Sequence, residues 1–205
     1  MKKIPTLFKR EYADHKITNI IDELSDESLN IVKDPKCIAT MKVDGSCCAV
    51  INGEWYKRYD AKKGKKVPEG AISCQDKPDE ITGHWPHWIR LDKDKAEDKW
   101  YIEAFKGYLN DLIAKTRVQN AIIPDGTYEA IGPHFQGNPY DLQWDTLYKH
   151  GSIILEDAPN TFEGLKYYLK EMPIEGIVYW YNNEPVCKIK RTDFGYEWPC
   201  EGARI

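Results

Sequence analysis

The residues with the clearest chemical potential are lysines and carboxylates at the ends of short apolar segments. Lys42 precedes the turn dipeptide Asp44-Gly45, and apolar residues lie on both sides of it. An amine between buried segments loses solvation, which lowers its pKa from about 10.4 and favours the neutral, nucleophilic form. The pattern Lys-x-Asp-Gly is short, however, and an ordinary surface hairpin with a solvated lysine explains it as well.

Carboxylates and cations further along the chain could act together with such a lysine. Glu129 lies among apolar neighbours in a predicted strand, where an acidic residue is unusual. Glu175 directly precedes the apolar run 176–181. Lys188 and Lys190 are two residues apart, so both side chains lie on one face of a strand. Each feature also has a structural explanation, since paired lysines protect an exposed edge strand.

The hydrophobic pattern predicts an α+β protein with short strands and two amphipathic helices. Residues 38–42 and 46–51 are predicted to form a hairpin, and an Asn52-Gly53 turn leads into a return strand over 54–59. The further predicted elements are a helix over 100–118, strands over 127–131 and 152–155, a helix over 161–169, and a hairpin over 176–190. Residues 1–36 show a ragged pattern, and residues 61–100 are predicted to form a long loop.

Composition excludes several broad classes of protein. The chain has 205 residues, 41% of them hydrophobic, which excludes wholesale disorder. A net charge of −4 excludes a global basic field, although a local basic groove remains compatible with it. Six cysteines without a Cys-x-x-Cys pair, and no signal peptide or long apolar run, lead us to expect a cytoplasmic protein with reduced thiols and no membrane association. We also expect a monomer without structural zinc.

Taken in chain order, these features resemble the motifs of the covalent nucleotidyltransferases, the superfamily of DNA ligases, RNA ligases and mRNA capping enzymes. The matching segments are Lys42-Val43-Asp44-Gly45, Arg58, Tyr128-Glu129-Ala130-Ile131-Gly132, Glu175-Gly176-Ile177-Val178 and Lys188-Ile189-Lys190. Finer features look like the small ATP-dependent RNA ligase family that includes the vertebrate 5′–3′ RNA ligase. They are the stretch over residues 4–10, Gly45-Ser46-Cys47-Cys48, Gly137-Asn138-Pro139-Tyr140, His150-Gly151 and Trp198-Pro199.

The resemblance implies a reaction with ATP and RNA. Lys42 would attack the α-phosphorus of ATP and carry AMP, which then passes to an RNA 5′-phosphate that a 3′-hydroxyl seals. Lys188 and Lys190 would contact the nucleotide phosphates and stabilise the departing pyrophosphate. Glu175 would position a divalent cation, Mg²⁺ or alternatively Mn²⁺, and Asp44 would share the waters of that cation or orient the lysine.

The resemblance also implies a nucleotide pocket. Arg58 and Glu129 would hold the ribose, and Met41 would lie beside the nucleotide. The family places an aromatic residue after its His-Gly pair to stack on adenine, but here that position is Ile153. An aliphatic residue can still sandwich a purine, with Ile177 or Val178 opposite. ATP is therefore expected over GTP by resemblance alone.

The expected architecture is one adenylyltransferase domain over residues 1–205, with mostly antiparallel sheets flanked by helices. Only fifteen residues follow Lys190, so we expect no C-terminal oligonucleotide-binding barrel. The RNA groove is expected along basic side chains, namely Lys57, Arg58, Lys62, Lys63 and Arg191. A ligase or adenylyltransferase for DNA or hybrid ends that needs a partner remains an alternative, as does a non-catalytic module that binds nucleotides or RNA.

Overall fold

The computed structural model describes residues 1–13, 16–62, 64–80 and 82–205, with residue 16 described for its backbone only. The described strands are β1 (Phe8–Ala13), β2 (Lys16–Leu24), β3 (Ile38–Lys42), β4 (Ser46–Ile51), β5 (Glu54–Ala61), β6 (Ile72–Ser73), β7 (Trp85–Arg90), β8 (Gly126–Ile131), β9 (Thr146–Lys149), β10 (Gly176–Tyr181) and β11 (Glu184–Lys190). The α-helices are α1 (Lys99–Thr116) and α2 (Phe162–Glu171), and 3-10 turns span Glu27–Lys33, Ala96–Asp98 and Arg191–Phe194. Strands within the sheets pair antiparallel, which confirms the predicted α+β class.

Contacts divide the chain into two compact units. Unit 1 comprises Met1–Lys3 and Asp44–Lys149, and unit 2 comprises Ile4–Val43 and His150–Ile205. The chain therefore passes from unit 2 to unit 1 between Val43 and Asp44, within the predicted Lys-x-Asp-Gly motif. The expectation of one domain over residues 1–205 stays a prediction.

Unit 1 is built on a six-stranded sheet in the order β6-β7-β5-β4-β8-β9. Helix α1 packs against β8 and β9, because its apolar residues recur at helical spacing on one side. Phe105 of α1 is fully buried and stacks on Trp55 of β5, with ring centroids 4.8 Å apart. Residues that alternate along β4 and β8, such as Cys48 and Tyr128, complete this core. The opposite face of the sheet carries Glu129 and Arg58, because side chains alternate between the two faces along β8 and β5.

Unit 2 is built on a three-stranded sheet in the order β11-β10-β3, which residues outside the strands extend at both edges. Thr40 of β3 forms an antiparallel bridge with Ile154, and Lys188 of β11 forms a parallel bridge with Thr6. One face of this sheet is buried and apolar, formed by Met41, Ile177 and Ile189. The β1–β2 hairpin forms a separate two-stranded sheet in this unit.

The predicted hairpin over residues 38–51 is wrong, although both of its strands exist. β3 pairs with β10, whereas β4 pairs with β5 and β8, so the turn at Gly45 joins two sheets. A Cβ atom at Gly45 would lie 2.3 Å from the carbonyl oxygen of Ala130, which shows how tightly this turn packs against β8. Alternating apolar and polar residues predict a strand, but the strand with which it pairs depends on segments far away in the sequence.

Other strand predictions also needed correction. The predicted loop over residues 61–100 contains β7, which pairs along β5; Pro86 and two histidines nearby obscured its alternating pattern. The predicted strand over residues 152–155 is reduced to the single bridge at Ile154, and β9 was not predicted. The β1–β2 hairpin replaces the ragged pattern predicted near the N-terminus.

Both predicted helices, the Asn52-Gly53 turn and the final hairpin are confirmed. Helix α1 differs from its predicted bounds by one or two residues. Helix α2 begins after Thr161, whose hydroxyl accepts a hydrogen bond from the backbone N–H of Gly164 at 3.3 Å. Asn52 and Gly53 adopt φ angles of 53° and 74°, as a tight hairpin turn requires. The final hairpin of β10 and β11 is present. No helix in the described ranges is long and apolar enough to cross a membrane.

Candidate active site

Three predicted site lysines lie on one face of the sheet in unit 2. Gly176 pairs with Lys42 on one side and Lys190 on the other, and Val178 pairs with Thr40 and Lys188. Paired residues in neighbouring strands share a face, and so do alternate residues of one strand. We call this surface the lysine face; it is formed by Thr40, Lys42, Gly176, Val178, Lys188 and Lys190.

Gly176 leaves room at the centre of the lysine face. It lies between Lys42 and Lys190 and has no side chain of its own. A Cβ atom here would lie 2.3 Å from the carbonyl oxygen of Ile189 and 2.9 Å from the Cα of Lys190. Only glycine lets β10 and β11 approach this closely. The side chains of Lys42 and Lys190 therefore flank a residue that has no side chain.

Glu175 is a buried carboxylate that bridges two of these lysines. Its side chain ends 2.6 Å from Nζ of Lys42 through Oε2 and 3.5 Å from Nζ of Lys190 through Oε1. The residue is only 4% exposed. A buried carboxylate needs charged or hydrogen-bonding partners, and these ammonium groups supply them. The carboxylate therefore holds the ends of Lys42 and Lys190 together.

Lys188 has the most perturbed amine on this face. Burial, together with repulsion from Lys42, Lys190 and Arg10, lowers its pKa to about 8, and Glu175 opposes the shift. Positive charge is thus crowded around Lys188. An anionic group such as a phosphate would relieve this repulsion, so the lysine face is chemically suited to bind one.

The N-terminal segment, which sequence reasoning used only as a family feature, contributes directly to this site. The backbone N–H of Lys188 donates to the carbonyl oxygen of Pro5 at 3.0 Å, and that of Leu7 donates to Lys188 at 2.8 Å. Strand β11 is therefore covered at Lys188 and is not the exposed edge that the paired lysines alone could suggest. The fully buried carboxylate of Asp193 binds Arg10 at 2.5 Å and the backbone N–H of Lys190 at 2.8 Å.

Arg10 and Asp193 are functional candidates that the sequence did not reveal. Asp193 fixes the end of β11, and Arg10 adds a fourth cation near Lys188. Arg10 belongs to the stretch over residues 4–10 that resembles the family, but its partner Asp193 lies 183 residues away, so no local pattern indicates their pairing.

The apolar candidates for contact with a nucleotide base lie on two different faces. Met41 and Ile177 belong to the buried face opposite the lysines, whereas Val178 belongs to the lysine face. Ile153 accepts a hydrogen bond from the backbone N–H of Met41 at 2.9 Å, and its neighbour Ile154 is the residue that pairs with Thr40. Ile154 therefore lies on the lysine face, where it is 57% exposed.

The remaining predicted site residues belong to unit 1. The backbone N–H of Asp44 donates to the hydroxyl of Tyr140 at 2.7 Å, which anchors the turn after Lys42. Arg58 and Glu129 share one face of the six-stranded sheet, with Cys47 beside Glu129 in the register. Burial and the charge of Glu129 raise the pKa of the Cys47 thiol to about 12, and the charge of Arg58 opposes the shift. Arg58 also binds the carboxylate of Asp60 at 2.8 Å.

The cations of the predicted RNA groove are largely engaged in internal contacts. Nζ of Lys57 lies 2.5 Å from the buried carboxylate of Asp98, on the side of the sheet that faces α1. Arg191 donates to backbone carbonyl oxygens, among them that of Met172 at 2.9 Å. Lys62 is exposed, and Lys63 lies outside the described residues.

The comparisons with a family model and with individual proteins indicate the same family. A model of the RNA ligase 1 family matches residues 70–205. The RNA ligase 1 of Rattus norvegicus is 25% identical over 93% of this chain and 77% of its own length. The RNA ligase 1 of Danio rerio is 26% identical over 97% of this chain and 82% of its own length. The chain therefore belongs to the RNA ligase 1 family.

Proposed function

We propose that this member of the RNA ligase 1 family is an ATP-dependent RNA ligase that uses Lys42 as its nucleophile. One observation carries the proposal: buried Glu175 joins Lys42 and Lys190 on the same face as Lys188. A nucleophilic amine, two further cations and a carboxylate suit phosphoryl transfer, in which positioning and charge stabilisation supply most of the rate.

The proposed chemistry proceeds in three displacements. The neutral amine of Lys42 forms a bond to the α-phosphorus of ATP as the bond to pyrophosphate breaks, and the amine loses a proton to solvent. An RNA 5′-phosphate oxygen next displaces Lys42 from the phosphorus, which yields RNA capped with AMP. A 3′-hydroxyl oxygen then attacks the 5′-phosphorus and expels AMP, again with loss of one proton. Lys188 and Lys190 stabilise the negative charge that develops on the leaving groups.

Glu175 is the residue of unit 2 that we assign to a divalent cation. Oxygen ligands suit hard ions such as Mg²⁺ or Mn²⁺, which bind through one or two carboxylates and keep several waters. Both carboxylate oxygens already face positive charge, so this position accepts cations. Such an ion, when bound, neutralises phosphate charge. We assign a supporting role to Asp44 by family resemblance.

The nucleotide contacts are proposed from family resemblance and from the faces on which side chains lie. Ile154 and Val178 are apolar residues on the lysine face, as is Trp180, whose indole N–H donates to the hydroxyl of Thr40 at 2.9 Å; we assign contact with the adenine base to Ile154 and Val178 in place of Ile153 and Ile177. Arg58 and Glu129 keep the ribose-binding roles that the resemblance implies. Their shared face in unit 1 is compatible with joint action.

The proposed function is tested by sealing of RNA that carries a 5′-phosphate to RNA that carries a 3′-hydroxyl, in the presence of ATP and Mg²⁺. We expect Lys42→Ala to abolish sealing, because it removes the nucleophile. Lys166→Ala is the matched control, since Lys166 is an exposed lysine of α2 and should retain full activity. Ends of DNA, offered in parallel, distinguish an RNA ligase from a ligase for DNA or hybrid ends, because only RNA presents 2′-hydroxyls. Sealing that survives in Lys42→Ala would refute the assignment.

A further inference from the structure

An aromatic and cationic cluster in unit 1 lies outside the residues assigned above. The rings of Trp100 and His134 stack with centroids 3.3 Å apart and planes 9° apart. The ammonium of Lys99 lies 4.2 Å from the centroid of the Trp100 ring. Behind the imidazole, the carboxylate of Asp145 lies 2.7 Å from Nδ1 of His134. We call Lys99, Trp100, His134 and Asp145 the aromatic platform.

Backbone contacts hold the segments of His134 and Asp145 close together. The carboxylate of Asp145 also accepts the backbone N–H of His134 at 3.2 Å. A Cβ atom at Gly132 would lie 2.6 Å from the Cα of Asp145, so only glycine lets the two segments come this close. His134 is thereby fixed against the first turn of α1, where Trp100 lies.

The chemistry of the platform suits a nucleobase and its phosphate. A carboxylate only accepts hydrogen bonds, so Nδ1 of His134 is the donor to Asp145. The imidazole covers one face of Trp100, and the ammonium of Lys99 lies over the same ring. Lys99 is exposed and has a flexible stem, so its ammonium can move to a phosphate while a base takes its place on the ring.

Two of the cations predicted to line an RNA groove are engaged in internal contacts. Lys57 is bound to buried Asp98, and Arg191 is bound to backbone carbonyl oxygens. Asp145 of the platform and the neighbouring Asp98 are buried acids. His134 is the partner of Asp145 and Lys57 that of Asp98, which limits their repulsion of RNA. Lys99 and the edge of Trp100, which is 38% exposed, remain accessible.

We propose that the aromatic platform binds single-stranded RNA, with a nucleobase stacked on Trp100 and an adjoining phosphate held by Lys99. The choice of RNA rests on the proposed function. Stacking platforms of this kind bind with little sequence preference, because every base has a π-face. The platform would therefore retain the RNA strand without selecting its sequence.

The test measures the affinity of the full-length protein for a fluorescent single-stranded RNA without ATP or divalent cation, by anisotropy. We expect Trp100→Ala to weaken binding between roughly 5-fold and 100-fold, as loss of one base–aromatic stack does. Lys99→Gln should weaken binding and reduce the slope of log K against log salt concentration by about 0.7, the value for one cation on a single strand. Trp144→Ala is the matched control, because Trp144 is 61% exposed and should bind RNA within two-fold of the unaltered protein.

Each outcome bears on the proposal separately from the ligase assignment. Transfer of AMP from ATP to the protein, assayed in the same variants, should be unchanged. If Trp100→Ala loses no more affinity than Trp144→Ala, or if the unaltered protein fails to bind RNA, the platform proposal is overturned while AMP transfer still reports on Lys42. If Trp100→Ala unfolds, Lys99→Gln decides through its salt slope, since its exposed side chain can change without disturbing the core. RNA binding that depends on the platform without any AMP transfer would overturn the ligase assignment alone.

Discussion

At the scale of single residues, charge is the property that distinguishes the lysine face. Lys42, Lys188, Lys190 and Arg10 bring four cations together, against which Glu175 and Asp193 provide two carboxylates. Such an excess of positive charge is unfavourable in the folded protein alone. Under the proposed function, the phosphates of ATP would supply the missing negative charge.

The lowered pKa of Lys188 predicts a specific dependence of stability on pH. Between about 8 and 10.5, the folded protein binds fewer protons at this amine than the unfolded chain does. Stability from this group therefore rises with pH across that window, and below it both states are protonated and the full cost of the charge remains. Replacing Lys188 by Met removes the charge.

We accordingly expect Lys188→Met to gain most in free energy of unfolding, relative to the unaltered protein, below pH 8. This gain should shrink as the pH rises from about 8 toward 10.5. Urea unfolding of both proteins across the range provides the measurement. A difference that stays constant with pH would show that Lys188 titrates normally.

At the scale of elements, the site depends on strands that lie far apart in the sequence. Lys42 is the last residue of β3, Lys188 and Lys190 lie in the last three residues of β11, and β10 pairs with both strands. The chain needs Gly176 at the centre of this arrangement, where both neighbouring strands place a lysine. A change at Gly176 should therefore affect stability and chemistry together.

We expect Gly176→Ala to destabilise the protein by roughly 1–3 kcal/mol, because its Cβ would overlap the backbone of β11. AMP transfer per folded molecule should fall as well, since Lys42 and Lys190 lose their spacing. Gly107→Ala is the matched control: its Cβ would lie 2.4 Å from the carbonyl oxygen of Asp145, so it introduces a similar steric conflict in unit 1. Thermal unfolding and labelled AMP transfer should separate the two variants. Equal effects on AMP transfer would contradict a special role for Gly176.

Much of this arrangement could be predicted from the sequence, because local patterns determine many elements. The spacing of apolar residues predicted α1, and Asn52-Gly53 predicted its turn. Alternation correctly placed Lys188 and Lys190 on one face of a strand. These features depend on neighbours within a few positions.

What the sequence could not predict depends on partners far away in the chain. No local pattern showed that β3 would pair with β10 and not with β4. The same limit concealed the pairing of Arg10 with its buried partner Asp193 and the position of Ile154 on the lysine face. A shift of one residue along an extended segment is enough to change the face.

At the scale of the whole molecule, each compact unit presents its own chemical surface. Unit 2 contains the lysine face with Glu175, and unit 1 contains the shared face of Arg58 and Glu129 together with the aromatic platform. Both surfaces belong to a chain of the RNA ligase 1 family. The proposals assign transfer of AMP to the lysine face and retention of RNA to the platform.

The central claim is that Lys42 carries AMP, and mapping the modified residue tests it most directly. The full-length protein is incubated with ATP and Mg²⁺, digested, and analysed by tandem mass spectrometry. We expect one AMP group on the peptide that contains Lys42, with the mass increment localised to that residue, and its loss when RNA with a 5′-phosphate is added. AMP attached to Lys188 or Lys190, or a protein that remains unmodified, would contradict the account.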